Sequence, residues 1–97
     1  MISFKARSEM LGRTETELKS EMAASLGRIG RTLESLIAQL QHIRNELPKI
    51  GDEKKDLYRS LHAEAELYYW YLIVQREAIG IRNHSALRQT FRIPDKI

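Results

Sequence analysis

Ninety-seven residues, 42% apolar and 30% charged, fit one small domain with a thin core and exclude a disordered tail. The absence of cysteine excludes a disulfide framework, a thiolate zinc site and a cysteine nucleophile, and two prolines with five glycines leave little room for a turn-rich β fold. The formal charge of +3 is unevenly spread: residues 76–97 carry five Lys/Arg against two Asp/Glu, and residues 52–75 carry three against five.

The start, MISFKARSEM, places Lys5, Arg7 and Glu9 where a signal peptide needs its apolar core, and no run of about 18 apolar residues follows anywhere, so a soluble, cytoplasmic chain with no membrane contact is expected. Residues 1–13 form an N-terminal arm with apolar anchors at Ile2, Phe4, Met10 and Leu11 but no period. Thr14 as N-cap with Glu17 three residues on has the capping-box spacing and opens a first helix over 15–47. Within it Leu26, Leu33, Leu40 and Leu47 recur every seventh residue, with Ile29, Leu36, Ile43 and Ile50 between them, the pattern of a coiled-coil seam.

Pro48 and Gly51 stop that helix, and Asp52 is the expected N-cap of a second helix over 53–82. Two helices of similar length joined by a short turn predict an all-α antiparallel hairpin, a single domain over 1–97. In the C-terminal segment 83–97 two alternatives stay open. Either Ser85 caps a short helix through Phe91, or the second helix runs on towards Pro94.

The second helix carries two apolar stripes. Leu57, Leu61, Ala65, Tyr68, Leu72 and Ile79 are expected to meet the seam of the first helix, whereas Leu67, Tyr71, Val74, Ala78 and Ile81 lie on nearly the opposite face. One neighbouring helix cannot cover both. Three covers are possible: a second copy, giving a dimeric four-helix bundle; the chain's own ends through Phe4, Leu11, Leu87, Phe91 and Ile93; or an unrelated protein. The first leads to a non-catalytic interaction or assembly module, self-associating through Leu67, Trp70, Tyr71, Val74 and Ile81. On the first helix Ser20, Ala23, Gly27 and Gly30 form a row of small residues, and pairing across the turn sets Gly30 opposite Val74, a packing notch for bulky rings.

His42 and His62 stand level across the hairpin with Glu46 and Glu66 a turn further on, but this is not the Glu-x-x-His spacing of carboxylate bundles, and both histidines are read as exposed polar residues. His84 falls just past a helix end. No phosphate loop, nucleophile elbow or HExxH occurs, so no enzyme activity, cofactor or metal is expected. The second functional reading rests on Arg28, Arg76, Arg82, Arg88 and Arg92, which are expected to gather at the end of the hairpin remote from the turn and could contact phosphate or nucleic acid. The plan resembles the small dimeric hairpins of the Rop-type RNA-binding proteins in architecture alone, and no functional residue is carried over.

Overall fold

The computed structural model describes residues 15–97, so the N-terminal arm and the Thr14 cap lie outside the described residues. Among the described residues three helices follow one another: α1 (Glu15–Arg44), α2 (Asp52–Ala78) and the single turn α3 (Leu87–Thr90). Helices α1 and α2 pack side by side, and no strand occurs among the described residues.

The heptad of α1 places Leu33, Leu36, Leu40 and Ile43 in the core, with Leu26 and Ile29 partly buried against it. Burial of such a stripe, rather than helix propensity, holds a helix of this length in place. The helix ends three residues earlier than its expected end at Leu47. Glu46 N–H donates to Ile43 O and Leu47 N–H to Arg44 O, at 3.0 and 3.1 Å, so the last turn tightens to the i→i−3 pattern ahead of Pro48, which has no N–H to continue it. As a result Leu47 leaves the seam and is exposed, while Ile50, beyond the turn, folds back into the core.

Helix α2 opens at Asp52, one residue before its expected start. Gly51, in extended backbone, is the N-cap, and its carbonyl accepts the Lys55 N–H at 3.1 Å. Asp52 is therefore the first helical residue, where with Glu53 it complements the positive end of the helix dipole. The far end stops at Ala78 rather than residue 82. Gly80 takes φ +92°, Gly80 N–H donates to Glu77 O and Ile81 N–H to Arg76 O, the paired bonds of a Schellman stop. A side chain at this φ would be strained, which is why glycine stands here.

The open alternatives for the C-terminal segment resolve in favour of a short helix, capped by Ala86 rather than Ser85. Asn83 Oδ1 accepts the Ser85 N–H at 3.0 Å, and the turn so formed reverses the chain. Residues 87–97 then run back along the hairpin: Arg88 lies on Tyr69, Pro94 is at His62, Asp95 at Tyr58, and Ile97 at Arg59. From Arg88 to Asp95 the α2 number falls from 69 to 58 as the tail number rises, so the tail is antiparallel to α2 and acts as a third layer over the groove between the helices.

This tail corrects the expected seam of α2. The buried residues are Tyr58, His62, Ala65, Tyr69 and Leu72; Leu61 and Tyr68 only flank the core, and Leu57 is exposed. Tyr58 and His62 are turned inward because the tail supplies carbonyl oxygens for the hydroxyl and the ring, and among the described residues every buried side-chain nitrogen or oxygen has a partner. The Gly30 notch is corrected too: a Cβ there would meet Phe91 Cζ of the tail at 3.7 Å, so the notch receives a tail ring and not a ring of α2.

Candidate interaction surface

Helix α2 presents two chemically distinct faces. The inner face, with the tail over it, is a clamp on main-chain carbonyls. Tyr58 Oη donates to Asp95 O at 2.6 Å, and Arg44 Nη1 donates to the same oxygen at 3.1 Å and lies 3.4 Å from the Tyr58 hydroxyl. That hydroxyl, as hydrogen-bond partner, is the chief cause of a raised pKa at Arg44. His62 Nε2 lies 2.8 Å from Pro94 O, an acceptor only, so this nitrogen carries the proton and donates; Arg59 Nε donates to Ile97 O at 3.3 Å. His62 is thus a buried structural residue and not the exposed one expected, while His42 is exposed beside Glu46. Among the described residues no three His, Asp or Glu side chains are placed to share a metal.

The outer face is apolar and, among the described residues, nothing covers it. Leu67, Trp70, Tyr71, Val74 and Ile81 are each between 37% and 57% exposed, and four of them follow the i, i+3, i+4, i+7 spacing of one helix face. Tyr71 stacks edge-on against Tyr68 with ring centroids 5.5 Å apart and leans on Trp70 at 5.8 Å, so the rings form one connected surface. At 100° per residue this stripe is centred about 170–180° from the buried stripe. The tail residues Leu87, Phe91 and Ile93, proposed covers of this face, belong to the core cluster on the opposite side. Between the tail end and the outer face runs a groove of about 470 Å³ bordered by Arg59, Ala63, Glu66 and Ile97.

The five arginines are not all brought to one place, and Arg82 stands exposed just beyond the stop of α2. Arg76 donates to His84 Nδ1 at 3.3 Å and to Asn83 O at 3.1 Å, pinning the turn after α2. Because His84 Nδ1 accepts, its Nε2 carries the proton towards Glu77 Oε1 at 3.2 Å. Arg88 lies 4.1 Å over the ring of Tyr69. Arg92 borders a cleft with Gln41, Arg44 and Asn45 near the turn, and Arg28 sits on α1 some 20 Å away at 1.5 Å per residue. The sequence places Arg92 at the remote end only if the segment continues outward; its return along the hairpin carries that residue to the other end.

The carbonyl clamp was missed by the sequence reading. Its one signal was the 4-3-4-3 spacing of Tyr58, His62, Ala65, Tyr69 and Leu72, as regular as the aliphatic seam of α1 but built from amphipathic side chains. No helix among the described residues is long and apolar enough to cross a membrane. No known family model, curated protein or solved structure matches this chain.

Proposed function

We propose that this chain is a non-catalytic assembly module that binds a second copy of itself through the outer face of α2. The observation that carries this reading is the contiguous stripe Leu67, Trp70, Tyr71 and Val74, exposed and turned away from a core that the tail has already closed. At the observed exposures these four side chains leave on the order of 400 Å² of mostly apolar surface wet, a patch size that marks an interaction site on a small protein. Burying it on two chains removes about 800 Å² of mostly apolar surface from water, a gain that the roughly 4–15 kcal/mol cost of association offsets in large part.

Nucleic-acid binding, the other reading, gains no support from the geometry: Arg76 and Arg88 are engaged within the chain, and Arg92 is remote from Arg28. Light scattering on the wild type and on Val74→Glu tests the proposal. The wild type is expected at twice the single-chain mass, and the variant at the single-chain mass with unchanged helical circular dichroism. A wild type that stays at single-chain mass up to hundreds of micromolar sinks the reading.

A further inference from the structure

The outer stripe of α2 has a symmetry of its own. Ala63, Leu67, Trp70, Tyr71, Val74 and Ala78 are all exposed, and their spacing is the same read from either end. Small residues close it at both ends, mid-sized aliphatic residues come next, and the two large rings stand at the centre. Resting on the self-association proposed above, we infer that two copies pair with their α2 helices antiparallel, about a two-fold axis passing between Trp70 and Tyr71. Leu67 of one chain then meets Val74 of the other, Ala63 meets Ala78, and Trp70 meets Tyr71.

An isologous contact requires a patch that is its own complement, and this stripe satisfies that condition when inverted. A parallel, in-register pair instead sets Trp70 on Trp70, aligns the two helix dipoles, and brings both Arg76 and Arg82 ends together. The antiparallel arrangement separates the basic ends and opposes the dipoles. The central rings set the separation of the two helices, which cross at a shallow angle of about 20°. The wet area of the four large side chains is about half of the ~800 Å² per partner that a stable interface buries, and Glu66, Gln75 and Ile81 lie around it to extend the contact.

The layout follows from the opposition of the two faces. Because the outer stripe points away from α1, the second copy cannot form a square bundle around a shared centre. The four long helices stand in a row, α1, α2, α2 of the partner, α1 of the partner, with each carbonyl clamp left at the side.

The chain has no cysteine, so thiols can be introduced singly. Full-length Ala63→Cys and Ala78→Cys variants are treated with a short bismaleimide, each alone and as an equimolar mixture, and each is weighed by light scattering. Antiparallel pairing predicts that the mixture gives a covalent dimer containing one chain of each kind and that neither variant alone does, since like positions stand about 22 Å apart along the axis. Covalent dimers from each variant alone indicate parallel pairing and overturn the inference. Dimers by mass that give no covalent product in the mixture place the contact on another face and overturn it also. Single-chain mass in the wild type removes the self-association reading itself, which separates that failure from failure of the geometry.

Discussion

Tyr58 is fully buried, yet its hydroxyl is not stranded: it donates to Asp95 O and lies against the Arg44 guanidinium. Tyr58→Phe removes one hydrogen bond while leaving Asp95 O its bond from Arg44, so a loss of about 1 kcal/mol is expected. In a urea titration the midpoint falls and the slope is unchanged. A loss within error would show that the Tyr58 hydroxyl adds nothing to the seating of the tail. At this scale the sequence misled in one direction. Leu57, Leu61 and Tyr68 were expected inside and Tyr58, His62 and Tyr69 are found there, while Ala65 and Leu72 serve both stripes, a rotation of about 60° around α2. Hydrophobicity ranks leucine above histidine for a core, but the ranking assumes no partner for the polar atom. The tail supplies that partner from more than thirty residues away, and an extended segment without a period leaves no local trace of where it will lie.

Among the elements, α1 is the one most fully readable, because seven-residue spacing of aliphatic side chains has few alternative explanations. The ends of the helices were less so: Gly80 acts through a positive φ that its neighbours Ile79 and Ile81 disguise as a continuing apolar run. The link between the two long helices also carries the pair Lys54–Glu46, which crosses the turn. The Lys54 hydrogen bond, foremost, and the charges of Lys54 and His42 lower the Glu46 pKa. A carboxyl group with a depressed folded pKa contributes stability above its unfolded value near 4.3, and that contribution disappears as pH falls through the folded value. Glu46→Gln is therefore expected to melt below the wild type at neutral pH, with the gap closing as the pH is taken below about 4. A gap that persists at pH 2 would mean the glutamate acts through packing instead of charge.

At the scale of the whole molecule, the hairpin and the exposed outer stripe were readable together. Two apolar faces on one helix demand two neighbours, and α1 with the tail accounts for one face only. What the sequence could not show was which side the tail would take, since Leu87, Phe91 and Ile93 suit either. If the chain pairs as proposed, its folding is linked to its concentration: each tenfold increase adds about 1.4 kcal/mol per dimer to the free energy of unfolding. The melting temperature of the wild type is expected to climb with concentration over a hundredfold range, and that of Val74→Glu to stay flat. A flat wild-type series would mean that whatever shelters Tyr71 and Val74 is not a second copy.

The clamp on the tail has a consequence of another kind. Arg44, Tyr58, Arg59 and His62 grip main-chain oxygen atoms of Pro94, Asp95 and Ile97, and every amino acid brings such an oxygen. The lock is cut to the shape of the backbone and is indifferent to most of the letters written on it. Leu87, Phe91, Ile93 and Ile97, which pack on the core, are the places where spelling counts; the exposed Lys96 is free to be rewritten with the strap still fastened.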